Sequence, residues 1–274
     1  MYRILKIRRL SPDVNEYVVE APLVAKRAKP GQFVILMTDE RGERVPFTIA
    51  DSDPEKGSVT VIVQTVGATT YKLSQKKEGE SLFAFAGPLG KPTDLDGEDK
   101  ILLVGGGIGA AVIYPQAKHR AKIGKKADVI LGARTEELLL YREEFGKVAD
   151  KFVVMTDDGS AGGKGFVTDA EREMLGKENY DAVFAVGPLP MMRAVCKVAE
   201  EFGVRTVISM NSVMVDGTGM CGCCRLKVDG KTLYACVDGP EFDGSKVDFD
   251  EAIKRSRTYH ECEKECYLRA KEEK

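Results

Sequence analysis

Apolar residues fall at alternate positions in a series of short runs along the first 95 residues: YRILKI, NEYVVEA, QFVILMT, VPFTIAD, SVTVIVQTV and SLFAFAG, separated by Pro, Gly and Asp clusters. Short period-two runs broken by turn residues predict half-buried strands, and a succession of them at this spacing predicts a small antiparallel barrel. After Lys100 the rhythm changes. Buried apolar runs (ILLVGGG, ADVILGA, KFVVMTD, DAVFAVG, TVISMN) alternate with stretches such as EELLLYREEFGKVADK and MMRAVCKVAEEFG, whose apolar residues recur at helical spacing. Alternating strand and helix predicts a parallel, doubly wound α/β sheet. The remainder holds a cysteine and glycine cluster, the hairpin-like RLKVDGKTLYACVDG with an Asp229-Gly230 turn, and a charged helix from about Phe249. The predicted division is a barrel over 1–96, an α/β domain over 97–208, a cysteine segment over 209–247 and a terminal helix over 248–274.

Composition narrows the partners. Among 274 residues, 41 basic against 43 acidic side chains nearly cancel, so no single-sign field points to nucleic acid or an anionic membrane. The amino terminus alternates apolar with basic residues and lacks the apolar core of a signal peptide, and no run of about 18 apolar residues appears, so a soluble cytoplasmic chain is expected. Seven cysteines is an odd number, and Cys221, Cys223, Cys224 and Cys236 crowd into one segment, which suits a cofactor nest rather than a disulfide framework.

That segment reads DGTGMCGCCRLKVDGKTLYAC over 216–236. Gly217, Gly219 and Gly222 permit a tight loop that turns several sulfurs inward, with backbone N–H groups free to donate to cluster sulfides. Plant-type [2Fe–2S] sites use Cys-x4-Cys-x2-Cys and a distant Cys. Here Cys221, Cys224 and Cys236 meet three of the four positions and Asp216 stands at the first. Asp216 keeps the register and is the favoured fourth ligand, with Cys223 as the alternative. A zinc site is the competing reading, weakened because no second Cys-x2-Cys pair is present.

Two further constellations carry chemistry. Arg44, Pro46 and Thr48 fall on one face of a predicted strand that also holds Phe47, a set suited to a phosphate and a flat ring together. Gly67, Thr69 and Thr70 precede a short helix and suit a phosphate, and Gly87-Pro88 closes the barrel. In the second domain Gly105, Gly107, Ile108 and Gly109 follow a strand and open a helix in a G-x-G-x-x-A pattern, which lets backbone approach a pyrophosphate. The acidic residue that should bind ribose some twenty positions later is missing from KIGKKAD. Arg134, Asp157, Gly187 and Pro188 stand at other strand ends, where ligands of such sheets bind. Arg134 either faces an adenosine phosphate or pairs with Glu136 or Glu137.

In this order the segments resemble the ferredoxin reductase superfamily, over nearly the whole chain. The combination is similar above all to the small FAD-containing subunits of NADH-dependent ferredoxin:NADP oxidoreductase (sulfide dehydrogenase), and at one remove to the electron-transfer subunits of dihydroorotate dehydrogenase B, which carry Cys where Asp216 stands. The resemblance implies FAD, one [2Fe–2S] cluster and NAD(H), with NADP(H) open, and a heterodimer with a larger flavin and iron–sulfur subunit that bifurcates electrons. It also implies Arg44 at the FAD phosphates and Thr48 near flavin N5. Nicotinamide exchanges two electrons as hydride, a cluster one, and flavin both, so such a chain is a two-to-one electron converter. The non-enzymatic alternative is a zinc-stabilised nucleotide sensor. His119 and His260 read as surface residues, Cys196 as a small buried apolar group, and Cys262 and Cys266 as spare thiols facing a partner.

Overall fold

The computed structural model describes residues 1–272. The barrel is laid down by β1 (Tyr2–Ser11), β2 (Val14–Glu20), helix α1 (Pro22–Ala25), β3 (Phe33–Met37), β4 (Val45–Asp53), β5 (Ser58–Gln64), α2 (Ala68–Ser74), β6 (Ser81–Leu82) and β7 (Ala84–Leu89). The strands pair antiparallel in the order β6-β1-β2-β5-β4-β3-β7, and only Phe83 separates the two edge strands in sequence, so the sheet is nearly closed. Alternation is why it curls around one interior: Tyr17 and Val19 of β2, Val34 and Leu36 of β3, and Val59, Val61 and Val63 of β5 all point into one core. β4 departs from this pattern, since Val45 to Thr48 are all half-buried and leave one side of the strand uncovered.

The second domain follows with β8 (Lys100–Gly106), α3 (Ala110–Lys122), β9 (Lys126–Ala133), α4 (Arg142–Phe145), β10 (Phe152–Thr156), β11 (Gly163–Lys164), α5 (Val167–Lys177), β12 (Ala182–Val186), α6 (Leu189–Glu201) and β13 (Arg205–Ser209). Its strands run parallel in the order β11-β10-β9-β8-β12-β13, as the continuous apolar runs require of a sheet covered on both faces. The cysteine segment adds a hairpin, β14 (Arg225–Val228) with β15 (Lys231–Tyr234), and then β16 (Glu241–Asp243), which returns to pair antiparallel with β13 and extends the sheet. The terminal stretch forms two helices, α7 (Phe249–Ser256) and α8 (His260–Glu272), where the sequence pattern suggested one.

Apolar packing joins the parts. On one face of the second sheet, Phe33 and Ile35 of the barrel share a core with Met214, Cys224 and Cys236 of the cysteine segment and with Met192 and Val195 of α6. On the other, Val14, Ala50 and Ile62 of the barrel pack with Ala110, Ala111 and Ile113 of α3. Each such aliphatic side chain contributes about 1.5–3 kcal/mol on full burial, so the domains are fixed to one another by ordinary core contacts. The connection between them is pinned by Arg120, 1% exposed, whose Nη1 donates to the carbonyls of Leu95 and Glu98 and whose Nη2 donates to those of Asp99 and Lys126.

Candidate cofactor sites between the barrel and the sheet

The glycine turn after β8 is shaped by three close approaches and one opening. A Cβ on Gly105 would come 2.7 Å from Ile113 Cδ1, one on Gly106 would strike Met191 Sδ at 2.3 Å, and one on Gly109 would lie 2.1 Å from the Val186 carbonyl. Gly107 is different. Its φ is +55° and nothing lies within 4 Å of a Cβ there, so this turn faces open space at the carboxyl end of β8. Ile108 beside it is half-buried against the α3 core.

Arg134, Asp157 and Gly187-Pro188 stand directly after β9, β10 and β12, at the same carboxyl edge. Arg134 is exposed, and among the described residues its side chain has no partner; Glu136 instead accepts from Arg142 at 2.7 Å. Neither Glu136 nor Glu137 pairs with Arg134 among the described residues. His119 is not alone on its surface, since Nε2 lies 2.9 Å from Asp96 Oδ1. Cys196 is partly buried and its thiol is pushed up to about 12 by that burial, in keeping with a packing role.

On the barrel, Pro46 and Thr48 lie opposite Ile35 and Phe33 on β3, and the Thr48 hydroxyl has no partner among the described residues. Phe47 turns the other way and packs against the barrel core. Gly87 lies against β3, where a Cβ would come 2.8 Å from Val34 Cγ1. The turn at Gly67 differs from an open phosphate cradle. Thr70 Oγ1 already accepts from the N–H groups of Val66 and Gly67, both at 3.0 Å, and buried Thr69 donates to Glu43 Oε2 at 2.6 Å.

Arg44 has moved furthest from expectation. It precedes β4 and reaches into the cysteine segment, where Nε donates to the Val215 carbonyl at 2.6 Å and Nη2 to the Asp216 carbonyl at 3.3 Å. The two partners lie 171 and 172 residues away, so no local pattern announces them. Next to this clasp Gly217, at φ +82°, lies so close to the barrel that a Cβ would meet Ile35 Cδ1 at 2.7 Å and Leu89 Cδ1 at 2.8 Å. The loop is thus seated on β3 and β7, beside the open side of β4.

Four thiols gather beyond that seat. Cys224 and Cys236 are buried with their sulfurs 3.2 Å apart, and Cys221 and Cys223 precede them in the same loop, one exposed and one half-buried. Backbone N–H groups from Cys223 and Asp216 favour the Cys221 thiolate and lower its pKa, whereas burial pushes Cys236 up to about 12. Asp216 Oδ2 accepts from the N–H and hydroxyl of Thr218 and from Met220 N–H at 3.2 Å, which holds this carboxyl below the usual range and leaves Oδ1 uncommitted. Among the described residues no three metal-ligating side chains close into a preformed shell. The donor set itself, clustered thiols with backbone N–H groups turned on a sulfur, fits a thiolate-bound iron–sulfur cluster.

A nearly closed antiparallel barrel, a parallel sheet with an open glycine turn at the carboxyl end of β8, and a thiol-rich loop seated on the barrel define a ferredoxin reductase-like oxidoreductase subunit with an added iron–sulfur segment. Two family models match in register: the oxidoreductase NAD-binding domain over residues 103–197, and the iron–sulfur cluster binding domain of dihydroorotate dehydrogenase B over residues 211–248. The chain belongs to the family of dihydroorotate dehydrogenase B electron-transfer subunits and their homologues. A Thermotoga maritima homologue of that subunit is 47% identical over 266 residues, covering 97% of this chain and 94% of the relative. A probable electron-transfer subunit of the same enzyme from Methanocaldococcus jannaschii is 38% identical, covering 90% of each chain. Among solved structures, one of NADH-dependent reduced ferredoxin-NADP oxidoreductase, described for flavin-based electron bifurcation, superposes with a TM-score of 0.93 at 45% identity over 98% of this chain and 97% of its own. The FAD/NAD-binding domain of a Vibrio cholerae nitric oxide dioxygenase shares the fold at 20% identity and a TM-score of 0.61, over 74% of this chain and 93% of its own. Among the described residues no helix is long and apolar enough to cross a membrane.

Proposed function

We propose that this chain is the NAD-side electron-transfer subunit of a bifurcating ferredoxin:NADP oxidoreductase, carrying FAD and one [2Fe–2S] cluster and working as a heterodimer with a larger flavin and iron–sulfur subunit. The observation that carries the reading is the whole-chain likeness to the NADH-dependent reduced ferredoxin-NADP oxidoreductase structure, which runs through the cysteine segment and the terminal helices alike. When bound, the three groups supply hydride exchange at nicotinamide, conversion to single electrons at flavin and single-electron relay at the cluster.

The residues divide the work as follows. Asp216, Cys221, Cys224 and Cys236 hold the cluster, with Asp216 Oδ1 as the available carboxylate oxygen. Pro46 and Thr48 shape the half-buried side of β4 for flavin, Phe47 fixes that strand from the barrel core behind it, and the free Thr48 hydroxyl is the donor or acceptor near the reacting ring nitrogen. Arg44 binds the flavin phosphates with part of its guanidinium while clasping the loop, and Gly67, Thr69, Thr70 and Gly87 shape the barrel end. Gly105, Gly107, Ile108 and Gly109 receive the dinucleotide pyrophosphate, with Arg134, Asp157, Gly187 and Pro188 along the same edge. No acid–base residue is needed for hydride transfer.

The names of the relatives support a second reading, an electron-transfer subunit of dihydroorotate dehydrogenase B. The partner separates the two. A complex recovered from the source cells that couples NADPH oxidation to ferredoxin and NAD⁺ reduction supports the first, and dihydroorotate-dependent NAD⁺ reduction supports the second. For the ligand set, Asp216→Cys is expected to change the EPR g-values and reduction potential of the cluster. An EPR signal identical to that of the unaltered protein removes Asp216 from the ligand shell and returns Cys223 to it.

A further inference from the structure

The loop that carries the thiols is held from outside by three guanidinium groups, each from a different part of the chain. Arg44, on the barrel, donates to the Val215 and Asp216 carbonyls. Arg225, the first residue of β14, donates from Nη1 to the Gly222 carbonyl at 3.1 Å. Arg255 of α7 donates from Nη2 to the Cys223 carbonyl at 3.1 Å, and α7 lies beyond both family models. Among the described residues none of the three is paired with a carboxylate, whereas Arg172, Arg193 and Arg205 all are.

The carbonyls they take are informative. A peptide unit is planar and trans, so a carbonyl turned outwards turns the N–H of the next residue inwards. The Val215 and Gly222 carbonyls face Arg44 and Arg225, and the N–H groups on the far side of those two peptide units belong to Asp216 and Cys223. These same two N–H groups are turned on the Cys221 sulfur. Each unit is thus held between a guanidinium at its oxygen and a ligand sulfur at its hydrogen, and donors in series polarise one another. Arg255 adds a third positive charge at the next carbonyl along. One electron added to a cluster adds one negative charge, and hydrogen bonds and positive charge about its sulfurs favour that reduced form.

We infer that Arg44, Arg225 and Arg255 are positioning residues for the cluster, which aim the loop N–H groups at its sulfurs and raise its reduction potential. The inference rests on the cluster reading given above and adds to it the residues that set the potential. EPR-monitored redox titration of the cluster-loaded full chain tests it, at low ionic strength because Arg225 is exposed and salt would screen it. Arg225→Gln and Arg255→Gln are each expected to shift the one-electron equilibrium about threefold towards the oxidised form, and the double variant about tenfold, or ~59 mV to lower potential, with iron per chain unchanged. Arg225→Lys and Arg255→Lys, which keep the charge, should lie nearer the unaltered protein. A double variant with full iron and an unchanged potential overturns the assignment, as do Lys and Gln variants that shift it equally. Should the double variant not hold iron, the single variants are read on the same terms. An unaltered chain that shows no [2Fe–2S] signal on reduction removes the cluster reading itself, and the assignment with it.

Discussion

Arg44 shows how one side chain serves two parts of the molecule. Its nearness to a Pro-Phe-Thr strand was legible, although it precedes β4 where the period placed it on the strand, and its clasp on the Val215 and Asp216 carbonyls was not, because contacts across 171 residues leave no mark on local periodicity. Arg44→Ala is expected to lose flavin while keeping the cluster; a purified variant with stoichiometric FAD, measured by absorbance after release, contradicts its place at the phosphates. Glu171 is a second residue that periodicity hides. It is fully buried on α5, neither carboxylate oxygen has a partner, and burial lifts its pKa from 4.5 to about 9. The folded protein thus binds this proton more tightly than the unfolded chain does. Its contribution is intact below about pH 4.5 and is lost as pH rises towards about 9. Glu171→Gln should flatten that slope. Thermal unfolding at pH 4.5 and pH 9 checks it: the variant should melt several degrees above the unaltered protein at pH 9, at about 2–4 °C per kcal/mol, and differ little at pH 4.5.

Among elements, the strands that follow a strict period were the readable ones: five of the six barrel runs became single strands, and SLFAFAG was split at Phe83 into β6 and β7. β16 was not readable. Only three residues long and set in a Gly-Pro-Glu-Phe-Asp-Gly stretch, it is a strand because β13 offers an edge, and pairing rather than propensity decides it. The cysteine loop sits between these cases: its ligand spacing was visible, its seat on the barrel was not. Gly217→Ala probes that seat, since a side chain there meets both Ile35 and Leu89 at a positive φ. The substitution is expected to cost about 1–3 kcal/mol in stability and to lower iron content per chain, measured by chemical denaturation and metal analysis. An iron content equal to that of the unaltered protein would mean that the loop does not need the barrel to hold its cluster.

At the scale of the whole molecule, the order of barrel, sheet and thiol loop was legible because each has its own period or spacing, while the devices that fix them together are single buried residues. Arg120 is the plainest of these. With four carbonyl acceptors and 1% exposure, it ties the 95–99 connection to β9, although burial lowers its pKa. Arg120→Met should destabilise the protein by about 3–5 kcal/mol by stranding those carbonyls, and urea denaturation of both domains together reports it. The return of β16 to β13 has a different consequence. Ser209 and Glu241 lie opposite one another, so the excursion that carries every thiol of the cluster leaves and re-enters the sheet at one place. Several structures that share only the fold match 74% of this chain. A segment whose two ends are neighbours is a cassette: it can be gained, lost or transplanted at the edge of such a reductase without re-routing any strand of the host. The same scaffold thereby acquires a single-electron outlet by one local insertion.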